Sequence, residues 1–178
     1  MSVRLLLLTI AMLSLLVAPA SGQDPEDANA GDPQVRNLVD QGSRFVVQGD
    51  FKSAIAPYQE ALNREKAKRT LSQTHWRVLV DGLGQAYGIS GDLKKAKATL
   101  EYGIWKDPKY PMFHYNLACT YAEMNDVDKA IGSLRKAYEN KQNLNKGDRF
   151  PNPWTDSSFK DLIGNDKFAN ALMEMSRN

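Results

Sequence analysis

The sequence predicts an all-α fold on the basis of three observations. From Val35 onward, apolar residues recur at helical spacing and are interrupted by Gly-Asp or Asn-Asp pairs. No run of alternating β-branched residues bounded by hairpin turns is found in the sequence. The chain also repeats itself: "DGLGQAYGISGDLKKA" at 81–96 matches "YNLACTYAEMNDVDKA" at 115–130 with an offset of 34 residues. Repeats of this length indicate stacked helical units.

The N-terminal residues predict a targeting segment rather than part of the fold. Arg4 precedes the apolar run 5–17, and small residues at 18–20 complete the pattern of a signal peptide over 1–20, with cleavage after Gly22 as the alternative. The apolar run is too short to cross a bilayer. We therefore expect an exported protein, periplasmic or extracellular if the source is bacterial, with no membrane span after cleavage. Residues 21–34 are polar and acidic, which predicts a disordered linker.

The overall charge gives no reason to expect a nucleic-acid partner. The formal net charge is only +2, with 25% charged and 42% hydrophobic residues, which is typical of a soluble globular domain. We interpret the basic runs "REKAKR" at 64–69 and "KKAK" at 94–97 as solvated helix faces. The single cysteine, Cys119, cannot form an intramolecular disulfide.

Three repeat units follow from the offsets, at 35–68, 77–110 and 111–144, with an insertion or helix extension at 69–76. A small residue on each first helix is expected to face an alanine on the second, so that the two helices approach closely. These pairs are Gly42 with Ala54, Gly84 with Ala96, and Ala118 with Ala130. Gly49, Gly91 and Asn125 are expected to end the first helices with positive φ, and Asp50, Asp92 and Asp126 to cap the second helices.

The period and the order of large and small residues resemble the tetratricopeptide repeat, a helix-turn-helix unit. The first unit departs from that pattern, with Gln41 in place of leucine and Lys66 in place of the closing proline. Residues 145–178 resemble the segment that caps many bacterial arrays, with Asp156 and Asn165 expected to begin two short helices. The resemblance implies a right-handed superhelical solenoid of three units with C-terminal capping helices.

No set of residues in the sequence predicts catalysis, a metal site or a cofactor. His75 and His114 lack partners at metal-ligand spacing, and His114 occupies a packing position of the repeat. The glycines at 82, 84 and 88 lack the strand and the Lys-Ser/Thr of a phosphate-binding loop. Nothing near Cys119 in sequence would lower the pKa of its thiol. We therefore predict a protein that is not an enzyme.

The resemblance implies that a partner binds on the inner face, which is lined by the first helix of each unit. Of the Lys/Asn/Arg set with which some family members clamp a terminal carboxylate, only Asn116 is matched here, so that mode is disfavoured. The candidate groove residues are Arg36, Val39, Ser43, Val46, Val47, Val78, Asp81, Gln85, Ile89, Met112, Tyr115, Asn116 and Glu123.

These features favour an exported adaptor or scaffold without catalytic activity that binds a peptide or protein segment in the groove. The alternative is a homo-oligomeric structural or assembly protein of the cell envelope, associating through 69–76 and the outer helices.

Overall fold

Residues 31–177 are described by the structure, a computed structural model. The predicted signal peptide, the linker up to residue 30 and Asn178 lie outside these residues. Within them all regular secondary structure is helical, so the all-α prediction is confirmed. The seven α-helices are α1 (Pro33–Val47), α2 (Phe51–Ala67), α3 (Gln73–Ile89), α4 (Leu93–Lys106), α5 (Pro111–Glu123), α6 (Val127–Glu139) and α7 (Asp166–Arg177), with short 3-10 helices at Lys141–Asn143 and Ser157–Phe159.

The helices stack as three successive hairpins. Helix α1 packs against α2, α3 against α4 and α5 against α6, and each second helix packs against the first helix of the next unit. The first helices also touch each other, α1 with α3 and α3 with α5, whereas no contact of comparable extent joins α2 to α4 or α4 to α6 in the described chain. In a curved stack, the helices of the concave side lie closer to each other than those of the convex side. The first helices therefore form the inner face and the second helices the outer face.

The turn inside each hairpin repeats the same chemistry, as predicted. Gly49, Gly91 and Asn125 have φ values of 77°, 86° and 58°, in the left-handed region that glycine and asparagine tolerate. The next residue in each unit is an aspartate whose carboxylate accepts a hydrogen bond from the backbone amide three positions later. These paired signals end one helix and begin the next.

The helix boundaries around the insertion and the linker refine the sequence prediction. Helices α2 and α3 are 17 residues each, against 14 for α4 and 13 for α5. Residues 73–76 of the insertion belong to α3, whereas α2 ends at Ala67, before the insertion begins. Helix α1 begins at Pro33, inside the segment assigned to the linker. Asp32 caps this helix through Gln34 N, at 2.8 Å, and proline suits a first helical position because its φ is already helical.

A tyrosine ring inserted between two glycines holds the first three helices together. A Cβ on Gly42 of α1 would lie 2.6 Å from the ring of Tyr58, and a Cβ on Gly82 of α3 would lie 2.7 Å from it. Tyr58 is 2% exposed, its hydroxyl is 3.0 Å from Ser43 Oγ, and burial raises its pKa to about 12. No side chain larger than hydrogen fits at either glycine without moving the ring.

The predicted partners of Gly42 and Gly84 are therefore wrong by one helical turn. The atoms nearest to a Cβ on Gly84 belong to Leu100, at 2.6 Å, rather than to Ala96. The same holds for Gly42, which meets Tyr58 rather than Ala54. The alanines are fully buried, but the space left by each glycine receives the large residue of the second helix.

We expect Gly42→Ala to lower the free energy of unfolding by about 1–3 kcal/mol, because the added methyl group overlaps the Tyr58 ring. Gly132→Ala is the matched control. This glycine is also helical, but a Cβ there would meet nothing within 4 Å, so alanine should stabilise the protein by up to about 1 kcal/mol. Urea denaturation of both variants measures the difference. Equal effects at the two sites would contradict the packing constraint.

Candidate functional site

Part of the predicted groove is closed by contacts between the first helices. Val39, Asp81 and Tyr115 occupy equivalent positions of the three units. Val39 and Tyr115 are each 1% exposed, and Asn116 on α5 donates a 2.7 Å hydrogen bond to Asp81 on α3. This shared position of the repeat faces the next part of the stack, because the first helices pack directly on one another. Val39, Tyr115 and the buried Asn116 therefore contribute no open surface, and their assignment to the groove is corrected.

Asp81 places a carboxylate in this apolar contact. Burial raises its pKa to about 7, the hydrogen bond from Asn116 opposes that shift, and the negative charge of Asp148 adds to it. The residue as a whole is half-buried, while its carboxylate is surrounded by protein. Burial likewise raises the pKa of Asp148, so two acids on this face resist ionisation. Asp81 on α3 should consequently bind a proton near neutral pH.

Asp81 should make the protein less stable as pH rises. Its pKa in the folded state, about 7, lies above the ordinary value near 4, so its contribution is full below about pH 4 and is lost as pH rises through 7. We expect Asp81→Asn to reduce the loss of stability between pH 5 and pH 8 by about 2–3 kcal/mol. Asp161→Asn, at an exposed acid, is the control. An unchanged pH slope in Asp81→Asn, measured by urea denaturation, would show that the carboxylate is not buried as described.

The C-terminal segment covers the inner face of α5. The hydroxyl of Tyr115 donates a 2.8 Å hydrogen bond to Asp156, and its ring meets those of Phe150 and Phe159 edge to face, with centroids 5.7 and 5.8 Å away. Phe159 is fully buried and stacks on Phe168 of α7. Burial raises the pKa of Tyr115 strongly. The third unit thus presents its inner face to the protein's own chain.

Two side-chain caps shape this covering segment, as the sequence predicts. Asp156 Oδ1 accepts from Ser158 N at 2.9 Å and begins the second 3-10 helix. Asn165 Oδ1 accepts from Phe168 N at 3.2 Å ahead of α7, which packs against α6. The second 3-10 helix packs against α5, as α3 packs against α1 and as α5 packs against α3. The segment therefore closes the exposed end of the stack.

Arg77 fastens the beginning of this segment to the repeats. Its Nε donates to Asp107 Oδ2 at 2.8 Å, and its Nη1 donates to Asn145 Oδ1 at 3.1 Å and to the carbonyl oxygen of Asn143 at 3.4 Å. The guanidinium also lies 4.5 Å from the ring centroid of Tyr110. One side chain therefore joins α3, the turn after α4 and the covering segment.

We expect Arg77→Ala to loosen the covering segment, because it leaves Asp107 without its ionic partner at a site that is 12% exposed. The free energy of unfolding should fall by about 3 kcal/mol, and limited proteolysis should cut residues 143–150 faster. Arg135→Ala is the control, since its ion pair with Glu174 is exposed and contributes less than about 1 kcal/mol. Equal protease resistance in both variants would contradict the anchoring role.

The open part of the inner face belongs to the first two units. Val47 and Ile89 occupy equivalent positions at the ends of α1 and α3, and they are 61% and 44% exposed. The third unit has the exposed Glu123 at this position. The other candidate residues are half-buried, and Ser43 is engaged with Tyr58. They are Arg36, Ser43, Val46, Val78, Gln85 and Met112.

A shallow depression of about 560 Å³ adjoins this open part, between the turns of the first and second hairpins. Its lining includes Ile89 and Tyr87 from the second unit, together with Phe51 and Ile55 at the start of α2. Phe51 and Ile55 are not among the predicted groove residues, which all lie on first helices. Their spacing of four residues at a helix start was the available signal.

The histidines and the cysteine that could act as metal ligands or nucleophiles lie in structural environments. His75 Nδ1 is 2.9 Å from Ser72 Oγ, and His114 Nε2 is 2.8 Å from the carbonyl oxygen of Pro108. Burial raises the pKa of the Cys119 thiol well above its usual value, which disfavours the nucleophilic thiolate. Within residues 31–177, no three His, Cys, Asp or Glu side chains are grouped to hold a metal ion. None of the helices in this range has the length and apolarity needed to cross a membrane.

Comparison with known proteins agrees with this geometry. A family model for the tetratricopeptide repeat matches residues 113–144, close to the third unit. The third hairpin therefore matches a tetratricopeptide repeat. The crystal structure of PcrH from Pseudomonas aeruginosa is similar in fold, with a TM-score of 0.53 and 16% sequence identity over 87% of this chain and 96% of that chain. No curated protein matches the chain.

Proposed function

We propose that this tetratricopeptide-repeat protein is a non-catalytic exported adaptor that binds a segment of another protein on the inner face of its first two units. The observation that carries the proposal is the exposure of Val47 and Ile89 at equivalent positions of neighbouring helices. Two apolar side chains repeated on adjacent helices form a contact surface for a partner rather than an isolated exposed residue.

The surroundings of these two residues suggest the kind of segment that fits. Val46 is half-buried and directly precedes Val47, and Gln85 supplies a polar group one turn before Ile89 on α3. An extended or helical segment with apolar side chains at regular spacing would bury this surface. The covered third unit limits the bound length to about two repeats.

The exported location rests on the sequence of residues 1–20, with their basic start, apolar run and small-residue cleavage pattern. We propose no catalytic role because the side chains that could act in catalysis have structural partners. The two histidines and Cys119 are engaged in packing and hydrogen bonds. An adaptor needs a binding surface and no catalytic residues, and stacked helical hairpins provide such a surface.

We expect charged substitutions on the open inner face to remove the partner. Crosslinking in the native compartment, followed by mass spectrometry, would identify the proteins held by the wild-type chain. Val47→Asp and Ile89→Asp should each reduce recovery about tenfold, because each places an unpaired charge in an apolar contact. Met173→Asp, at a side chain that is 42% exposed on α7, is the control. Full recovery with both inner-face variants, in folded protein, would refute the proposed site.

Light scattering separates the adaptor from the homo-oligomer predicted as the alternative. A monomer at tens of micromolar would leave the adaptor as the function. A stable oligomer that is dissociated by substitutions at 69–76, with no other protein crosslinked, would replace it with self-assembly.

A further inference from the structure

Aromatic and basic side chains form a connected cluster on the outer face, away from the proposed partner site. Trp105 is 71% exposed near the end of α4, and its ring lies 6.2 Å from that of Tyr102. Lys106 Nζ is 3.9 Å from the Trp105 ring centroid, and Lys66 Nζ on α2 is 4.6 Å from the Tyr102 centroid. Arg69 extends the cluster. We call Lys66, Arg69, Tyr102, Trp105 and Lys106 the Trp105 patch.

A buried tryptophan fixes the patch to the core. Trp76 of α3 is 2% exposed and meets Tyr102 edge to face, with centroids 6.2 Å apart. Arg69 Cζ lies 5.4 Å from the Trp76 ring centroid. The cations are therefore held on ring faces at the ends of two outer helices, and the run 64–69 is more organised than the solvated helix face that the sequence predicts.

Residues 64–69 and 105–109 hold six basic and two acidic side chains, so the patch keeps a net positive charge. Lys66, Arg69 and Lys106 form no salt bridge among residues 31–177, and neither do their neighbours Lys68 and Lys109. The acids of the same region have other partners. Glu60 pairs with Arg64, Glu101 with Lys97 and Asp107 with Arg77, while Glu65 is buried and accepts hydrogen bonds from Thr70 and Leu71.

We propose that the Trp105 patch attaches the protein peripherally to an anionic phospholipid membrane. Unpaired cations are drawn to anionic headgroups, and tryptophan and tyrosine favour the boundary between headgroups and hydrocarbon. The patch lies at the C-terminal ends of the outer helices α2 and α4, and Trp105 projects from it. A planar bilayer fits an outer face with one projecting ring better than a peptide segment does. The inner face remains free for a partner.

Vesicle sedimentation tests the attachment with the chain beginning at Ser21, which contains every described residue and lacks the apolar run 5–17. We expect binding to phosphatidylcholine vesicles containing 30 mol% phosphatidylglycerol, little binding to pure phosphatidylcholine, and release at 0.5 M NaCl. Each removed cation should weaken partitioning about fivefold. Lys66→Gln/Lys106→Gln should therefore weaken it about 25-fold. In a Trp154→Phe background, where the other remaining tryptophan, Trp76, is already buried, a shift of the emission to shorter wavelength on binding should report on Trp105.

Lys94→Gln/Lys160→Gln is the matched control, because it removes the same charge at exposed lysines outside the patch. Unchanged partitioning in this variant, with a loss in Trp105→Ala, would support the proposal. Equal losses in both double variants would overturn it in favour of diffuse attraction. Absence of binding to anionic vesicles would also overturn it, and capture of polyglutamate by the same residues would assign the patch to an acidic protein. Circular dichroism verifies that every variant is folded.

Discussion

The close approach of the helices depends on the Tyr58 ring lying where two glycines leave space. Gly42 on α1 and Gly82 on α3 both meet this ring, so one residue of α2 sets the separation of the first and second units. A similar arrangement recurs further along the stack, where a Cβ on Gly103 would lie 3.0 Å from Phe113 and from Val80. Because a ring or branched side chain occupies each space, the helices can neither approach further nor slide without a clash.

This spacing brings the first helices into direct contact, which decides where open surface remains. Residues that would line a groove in a more widely spaced stack become part of the interface between α1, α3 and α5. Val39 suits that environment, whereas Asp81 is an acid in the equivalent place. Its hydrogen bond from Asn116 supplies only part of the solvation that water would give, and for that reason its pKa lies near 7.

The C-terminal segment has two structural consequences. It covers the apolar end of the array through Phe159 and Phe168, and it occupies the inner face of the third unit through Phe150 and Asp156. Arg77 ties the start of this segment, at Asn145, to α3 in the second unit. The first two units are left with the exposed inner surface, and the outer face carries the aromatic and basic patch. The two faces differ in chemistry, with aliphatic side chains on one and cations on aromatic rings on the other.

The sequence by itself determined what depends on neighbours close in the chain. The hairpin turns at Gly49, Gly91 and Asn125, their aspartate caps and the lengthened α2 and α3 follow from local backbone and capping preferences. Only the tertiary structure decided which large residue enters the space at each glycine, because that depends on how the helices cross. It also decided that Tyr115 is covered by a segment 35 to 44 positions later in the chain, at Phe150 and Phe159. Side chains distant in sequence compete for the same space, and a spacing pattern contains no information about which one occupies it.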